Sequence, residues 1–190
     1  FHWGKHSDAN ENTEAYNRQL AERYLFETTR DEISQIKHLG RPECIYVPIG
    51  SDFLNIDNYL ATTTRGTPQD NDGTPAELLE TAVQLLEKWI DTLRAVGPVK
   101  LVLMSGNHDR HTGLALLLYL DALYRGCSDV TVCRDRRPRV YQTYGTNLIV
   151  FIHGDGIKKT SVMAGVMAEE ARAAWSQSLH RHIYTGHFHN

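Results

Sequence analysis

Short apolar runs alternate with amphipathic segments along this chain, and the alternation limits the folds it can adopt. Two runs, Cys44–Ile49 and Lys100–Met104, have the length and the apolar content of buried strands. Between them lies the best-marked helix, which starts at the capping box Thr74–Glu77 and carries apolar residues at helical spacing until Gly97. A strand–helix–strand order is typical of an α/β sheet covered by helices.

The rest of the chain continues this pattern. Further helices are predicted over Thr13–His38, from Thr112, as the capping residue, to about Tyr124, and over Lys158–Trp175. Further strands are predicted over Val130–Cys133, Arg139–Thr143, Leu148–Ile152 and His182–Thr185. No repeat, low-complexity tract or linker divides the sequence, so we predict one domain over residues 1–190.

The composition excludes several classes of protein. The chain has 190 residues, of which 41% are hydrophobic and 23% charged, and its formal net charge is -3. These values suit an ordinary globular domain and argue against a disordered tail or a disulfide-stapled miniprotein. The longest clean apolar run, Leu114–Leu120, is far shorter than the roughly 20 residues of a membrane helix, so no membrane partner is expected. The three cysteines lack C-x-x-C spacing and the first residues lack the apolar core of a signal peptide, which together predict a cytoplasmic protein.

The ten histidines are the unusual feature of the composition, and half of them fall at related places. Four histidines follow predicted strands, and one aspartate and one asparagine do the same. A fifth histidine, His2, lies at the start of the chain, where a strand could end if the natural protein extends upstream. The residues that follow strands are Asp52, Asn107, His108, His153, His187 and His189. In open α/β sheets, ligands bind outside the carboxyl ends of the strands. Imidazole is the commonest transition-metal ligand and a carboxylate can bridge two cations, so the pattern predicts a metal site.

Five short motifs add a resemblance to a known family. Gly106-Asn107-His108-Asp109 and Gly186-His187-Phe188-His189 match the GNH(D/E) and GHxH motifs of the calcineurin-like metallophosphoesterase superfamily. Phe1–Gly4 looks like the family's opening D-x-H-x-G without its aspartate, and His153–Asp155 resembles the penultimate histidine motif. Gly50-Ser51-Asp52 resembles the GDxxD box with one residue inserted. The motifs span the whole chain in the family's order, nearest to its exonuclease-like branch.

The resemblance implies a fold and a dinuclear metal centre. The fold would be a four-layer α-β-β-α sandwich, trimmed at both ends, with an aspartate before Phe1 in the natural protein. Two divalent cations are implied, Mn²⁺ first, with iron or zinc as alternatives. The implied ligands are His2 and His189 for one metal, Asn107, His153 and His187 for the other, and Asp52 as the bridge, with Asp57 as the alternative bridge. His108 would not be a ligand; it would face the phosphate and stabilise charge or protonate the leaving oxygen.

The function implied is metal-dependent hydrolysis of phosphate esters, with a phosphodiester or DNA exonuclease-like substrate preferred. A phosphomonoesterase acting on a nucleotide or another small molecule is the first alternative. A non-catalytic scaffold that keeps the metals is the second. The implied partner is a phosphate-ester substrate, either DNA or a nucleotide.

Three further features have two interpretations each. The Thr62–Asp70 stretch is either a surface loop or a loop that controls substrate access. The cluster of Arg134, Arg136, Arg137 and Arg139 is either a solvated hairpin edge or a contact for a DNA backbone. His111, just after the GNHD motif, is either an exposed residue or a substrate contact.

Overall fold

A computed structural model describes residues 1–9, 14–156 and 159–188 and contains two three-stranded sheets. The first sheet is parallel throughout, with β1 (Ile45–Gly50), β2 (Val99–Met104) and β3 (Val130–Val132) in that spatial order. Ile45 pairs with Val99 and Gly50 with Met104, so β1 and β2 end at the same edge. The expected α/β class is confirmed.

Three helices accompany the first sheet, namely α1 (Arg18–Ile36), α2 (Pro75–Arg94) and α3 (Arg110–Leu123). The predicted capping box starts α2, since the Thr74 hydroxyl accepts from the Glu77 N–H and the Glu77 carboxylate accepts from the Thr74 N–H. The apolar faces of the helices meet the sheet in the largest hydrophobic cluster, which includes Ala21, Leu86, Ile90, Leu101, Leu116 and Leu117.

The second sheet is mixed. Its order is β4 (Val140–Tyr144), β5 (Asn147–Ile152) and β6 (His180–Thr185), with β4 and β5 antiparallel and β5 and β6 parallel. Two short helices, α4 (Met163–Glu170) and α5 (Arg172–Gln177), lie between β5 and β6 along the chain. Met163 and Met167 of α4 pack against buried residues of β5 in a separate hydrophobic cluster.

The two sheets meet through a third, smaller hydrophobic cluster. It joins Val102 and Met104 of β2 to Val140 of β4 and Phe151 of β5. The central strands β2 and β5 are mostly buried, whereas every residue of β6 is exposed. None of the helices formed by the described residues is long and apolar enough to cross a membrane.

Three helix boundaries differ from the prediction. Helix α1 begins at Arg18, because the Asn17 side chain accepts from the Leu20 N–H at 2.9 Å and caps the helix there; Thr13 lies outside the described residues. Thr112 is wrong as the cap of α3, whose N-cap residue is Asp109. The single helix predicted over Lys158–Trp175 is also wrong, since the backbone leaves helical geometry at Ala171 and separates α4 from α5; Lys158 lies outside the described residues.

Candidate metal centre

Polar residues from both sheets converge where the strands end. Asp52 follows β1, Asn107 and His108 follow β2, and His153 follows β5. His187 follows β6, which is parallel to β5 and ends beside it. The paired strands of each sheet bring these side chains to one edge of the molecule, as the strand-end pattern predicts.

His2 reaches the same edge through the first residues of the chain. The His2 N–H donates to the Asp52 carbonyl at 2.8 Å, and Trp3 forms an isolated parallel bridge with Leu54. The buried Trp3 indole, 4% exposed, donates to the Thr81 hydroxyl of α2 at 3.0 Å. The segment is therefore fixed to the loop after β1 and to α2, with His2 buried at the site.

Two groups of side chains in this region could each hold a cation. The first group is His2, Asp52 and His108, and the second group is Asp52, His153 and His187. Within each group, one potential ligand atom per residue lies within 4.8 Å of the others. Asp52 belongs to both groups, which is the position a bridging carboxylate would occupy between two cations.

Asp52 is held as a buried carboxylate with one oxygen facing each neighbour. The His108 N–H donates to Asp52 Oδ1 at 2.8 Å, and His153 Nε2 lies 3.1 Å from Asp52 Oδ2. Burial by itself raises the Asp52 pKa, but the hydrogen bonds from His153 and His108, with the nearby charge of the His153 and His2 rings, bring it down to about 2. Asp52 is therefore ionised at neutral pH, as a metal ligand must be.

His153 joins Asp52 to two other residues. Its Nε2 lies 2.9 Å from Asn107 Oδ1, and its Nδ1 lies 3.1 Å from the Ser51 hydroxyl oxygen. The His153 side chain is 1% exposed, and its ring centroid is 5.1 Å from that of His187. Asn107, which falls in neither group, is thus placed beside the second group through His153.

His108 has a fixed ring orientation. Its Nδ1 lies 3.0 Å from the Asn55 carbonyl oxygen, and a carbonyl can only accept, so Nδ1 carries a hydrogen. The atom left for other chemistry is Nε2. The ring meets the His2 ring edge-on at a centroid distance of 4.5 Å, so His108 lies among the potential ligands of the first group.

Asp109 anchors the loop that carries Asp52. Although it is the N-cap residue of α3, its carboxylate turns away from the helix and accepts from the Asp52 N–H at 3.0 Å and the Leu54 N–H at 3.3 Å. Complete burial, followed by the Asp52 charge, raises the Asp109 pKa to about 7, against the lowering effect of the backbone hydrogen bonds. The sequence motif contains Asp109, but sequence reasoning assigned it no role.

The backbone is strained at the centre. Five residues other than glycine in the described part of the chain have clearly positive φ, and four of them belong to it: His2 (50°), Ser51 (60°), Asp52 (61°) and His187 (66°). Such conformations cost about 1–3 kcal/mol each and persist where surrounding contacts impose them, as they do in binding sites.

Two glycines let the strand-end loops approach each other. A Cβ on Gly106 would lie 2.2 Å from Asp52 Oδ1, and one on Gly186 would lie 2.4 Å from the Ser51 hydroxyl oxygen. At Gly106 a side chain would also meet the Asp52 backbone nitrogen at 2.4 Å, so the two loops would have to move apart. At Gly186 the Ser51 side chain would have to rotate away from its contact with His153. The missing side chains at Gly106 and Gly186 therefore permit the close approach of the loops that carry Asp52, Asn107 and His187.

Asp57, the alternative bridge, is occupied elsewhere. Its Oδ1 accepts from the His111 and Thr112 N–H groups at 2.7 and 2.9 Å, which satisfies the start of α3. Its Oδ2 accepts from the Thr64 hydroxyl at 2.7 Å. Asp57 belongs to neither ligand group, so the geometry favours Asp52 as the bridge.

The remaining predicted residues are placed as follows. His189 lies outside the described residues. His111 is exposed and lines a cavity of about 400 Å³ beside His153. Of the arginine cluster, three members pair with carboxylates and Arg136 donates to the Cys133 carbonyl, which favours the solvated interpretation over a DNA contact. The cluster is not a hairpin edge, because it connects β3 of the first sheet to β4 of the second. The pairs are Arg134 with Asp121, Arg137 with Asp135 and Arg139 with Glu170.

No protein-family model, curated protein or solved structure matches this chain. The motifs and the arrangement of the side chains at the strand ends are therefore the features that indicate a function.

Proposed function

We propose that this protein hydrolyses phosphate esters with the help of two divalent cations held at the strand ends. The observation that carries the proposal is the place of Asp52, a buried and ionised carboxylate shared by two groups of potential ligands. A single cation site needs no such sharing. A phosphodiester substrate is our first choice, and a phosphomonoester the second.

The donor set fits transition-metal cations. Imidazole nitrogens with one carboxylate and one amide oxygen suit manganese, iron or zinc better than calcium. Asn107, His153 and His187 would hold one cation and His2, with His189 by the resemblance, would hold the other, with Asp52 shared between them. His108, the third member of the first group, is assigned to proton transfer and not to the cation. When bound, such a pair supplies positive charge that stabilises both hydroxide and the phosphoryl oxygens.

The protein's own residues account for the proton that the reaction must move. Hydrolysis joins the oxygen of water to phosphorus and releases one proton of that water to solvent, while the ester P–O bond breaks and leaves the ester oxygen in need of a proton. His108 is suited to supply it, since its Nδ1 is committed to the Asn55 carbonyl and its Nε2 is left for the leaving oxygen. A positioned acid of this kind contributes about 10²- to 10⁴-fold in rate.

The finer fold assignment, a four-layer α-β-β-α sandwich, is part of this proposal. Three hydrophobic clusters support it: one between the first sheet and its helices, one between the sheets, and one between β5 and α4. In such an arrangement the loops after β1, β2, β5 and β6 share one edge. We likewise keep the cytoplasmic location as a prediction.

Comparing a metal-ligand variant with a matched control tests the proposal. We expect Mn²⁺-dependent hydrolysis of bis-p-nitrophenyl phosphate to exceed that of p-nitrophenyl phosphate. Asp52→Asn should lower the rate by at least about 100-fold and reduce the bound metal, because even residues behind the ligands are worth about 10- to 100-fold. Asp31→Asn, on an exposed position of α1, should retain both.

Two outcomes would count against the proposal. Full activity and full metal content in Asp52→Asn would remove the bridging role on which it depends. A wild-type protein with both cations bound that turns over neither substrate would leave only the non-catalytic scaffold.

A further inference from the structure

A polar cavity of about 250 Å³ opens directly on the candidate metal centre. On one side it is lined by Asn107, His108, His187 and Asp155. Its other lining residues are Thr63, Arg65, Thr67 and Gln69, which belong to the predicted Thr62–Asp70 loop. Apart from the histidines, none of the described residues that line the cavity is aromatic, so these residues offer hydrogen bonds and charge rather than a stacking surface for a base.

The turn that carries Arg65 is fixed by its own hydrogen bonds. The Thr63 N–H donates to the Thr67 carbonyl at 2.9 Å, and the Gly66 N–H donates back to the Thr63 carbonyl at 2.9 Å. The Thr63 hydroxyl also accepts from the Thr67 N–H at 3.2 Å, and Thr63 is 5% exposed. Arg65 therefore stands at the tip of a rigid turn with a buried base.

Thr64 ties this turn to the metal centre. Its N–H donates to the Asn107 carbonyl at 3.1 Å, and its hydroxyl donates to Asp57 Oδ2 at 2.7 Å. Asn107 is a proposed ligand, and Asp57 holds the start of α3. The residue next to Arg65 is thus bonded directly to the loop that positions the site.

Arg65 is exposed and has no carboxylate partner among residues 1–9, 14–156 and 159–188. Arg110, which lies near the same cavity, differs in that it pairs with Asp155 at 3.3 Å. An exposed guanidinium on a rigid turn has its charge and its five N–H donors available to a ligand. Guanidinium is also the side-chain group best matched to phosphate, because it can donate two parallel hydrogen bonds.

We propose that Arg65 binds a second phosphate group of the substrate, next to the phosphate that is hydrolysed, and so makes the site selective for esters that carry two phosphates. This inference rests on the proposed hydrolytic function and names its substrate class. The second phosphate could belong to a small bisphosphorylated nucleotide or to the next link of a nucleic acid chain.

The position of Arg65 across the cavity from the metal centre favours a second group over a second contact to the first. The cavity of about 250 Å³ lies just below the roughly 300 Å³ at which pockets for small ligands begin, with Arg65 on the loop side and Asn107, His108 and His187 on the other. The reacting phosphate would already be held beside His108 and the proposed ligands. The lining threonine and glutamine side chains can complete the hydrogen bonds of a further phosphate or of a sugar.

Two chromogenic substrates that differ only in the second phosphate test the inference. They are thymidine 3′-(p-nitrophenyl phosphate) and the same compound with a 5′-phosphate. We expect wild-type kcat/KM to be about tenfold higher for the 5′-phosphorylated compound, in keeping with one charged hydrogen-bonded contact. Arg65→Gln should abolish that preference through KM and leave the other substrate unchanged.

The matched control is Arg125→Gln, since Arg125 is also exposed and lies beyond the far end of α3, about 20 Å along that helix from the site. It should keep the tenfold preference. A parallel series with oligothymidylate of increasing length distinguishes the two sources: rates that stop rising after two phosphates indicate a small nucleotide, and continued rises indicate a nucleic acid chain.

Three results would overturn the inference. They are no wild-type preference between the substrates, an equal loss on both in Arg65→Gln, and no loss on either. Binding of thymidine 3′,5′-bisphosphate against thymidine 3′-phosphate, measured by calorimetry in the presence of Mn²⁺, separates this failure from that of the proposed function. If Arg65→Gln binds the bisphosphate more weakly than wild type does, but wild type hydrolyses neither ester, the second phosphate site is supported and the proposed hydrolytic function is contradicted.

Discussion

Both sheets contribute residues to the candidate centre but differ in how firmly they hold them. The first sheet ends in Asp52, which is 3% exposed, and its loop is fixed from behind by the buried Asp109. The second sheet ends in the buried His153 and in His187, which is exposed and follows a strand exposed along its whole length. The residues that follow the first sheet are therefore preorganised by a polar network in the core. The residues that follow the second sheet depend instead on contacts made across the sheets.

This difference predicts different consequences for mutations on the two sides. Changes on the first-sheet side should alter folding and metal binding together, because the same hydrogen bonds serve both. Changes that affect His153 should alter metal binding more than folding. Changes at the outer surface of the second sheet should alter neither by much.

Asp109→Asn should have the largest effect, on the pH dependence of stability. The folded-state pKa of Asp109, about 7, is raised above its ordinary value, so the stability it contributes is present at pH 4 and lost as the pH rises through 7. The metal-free wild type should lose up to about 4 kcal/mol over that range. The amide introduced by Asp109→Asn cannot ionise, so this variant should lack most of the slope.

Urea unfolding of metal-free protein at pH 5 and pH 8 provides the measurement. At pH 5, Asp109→Asn should be less stable by about 1–3 kcal/mol, because an amide offers only one acceptor oxygen for the Asp52 and Leu54 N–H groups. Asp31→Asn should follow the wild-type slope. Parallel pH curves for Asp109→Asn and wild type would show that Asp109 does not carry the effect.

Ser51→Ala should have an intermediate effect, on metal affinity. The Ser51 hydroxyl can accept from or donate to His153 Nδ1, so it can hold the ring when a cation occupies Nε2. Losing such a partner typically costs about 10- to 100-fold in affinity. Titration of metal-free protein with Mn²⁺ would measure the loss.

Ser51→Gly separates this role from backbone strain. Ser51 has a φ of 60°, which glycine adopts without cost, so Ser51→Gly should fold at least as well as Ser51→Ala. It lacks the hydroxyl, however, and should lose the same metal affinity. If Ser51→Gly binds Mn²⁺ as tightly as wild type, the hydroxyl is not what positions His153.

The sequence was most informative where one local signal decides the structure. The apolar runs predicted all six strands to within two residues at their ends, and the Thr74 capping box predicted the start of α2. Prediction from the sequence failed where a contact with a distant residue determines the local structure. The start of α3 depends on Asp57, some fifty positions earlier, whose carboxylate accepts from the helix N–H groups.

The candidate metal centre was also predictable in some respects and not in others. Strand-end positions and motifs predicted which residues would approach one another, because parallel strands end at one edge. They could not show that Asp57 is engaged by α3, that Ser51 contacts His153, or that Asp109 turns back to hold the Asp52 loop. Each of these contacts joins residues about fifty or more positions apart through a loop conformation that no local pattern encodes.

Glu170→Gln should have the smallest effect on stability, because Glu170 lies at the outer surface of the second sheet. Glu170 accepts from Arg139 Nε at 2.7 Å and from the Tyr141 hydroxyl at 2.8 Å, which ties α4 to β4 at the surface. The Glu170 side chain is 32% exposed, so its ion pair with Arg139 should contribute at most about 1 kcal/mol to the free energy of unfolding. Hydrogen bonding to Arg139, the main cause, lowers the Glu170 pKa, so this contribution is present at pH 7 and is lost as the pH falls below the ordinary glutamate value of about 4.3. Unfolding of Glu170→Gln and of its exposed neighbour variant Glu169→Gln at pH 7 and pH 3 would measure it, with Mn²⁺ affinity unchanged in both. A loss of metal affinity in Glu170→Gln would mean that the surface of the second sheet supports the centre as the core of the first does, and the contrast between the sheets would not hold.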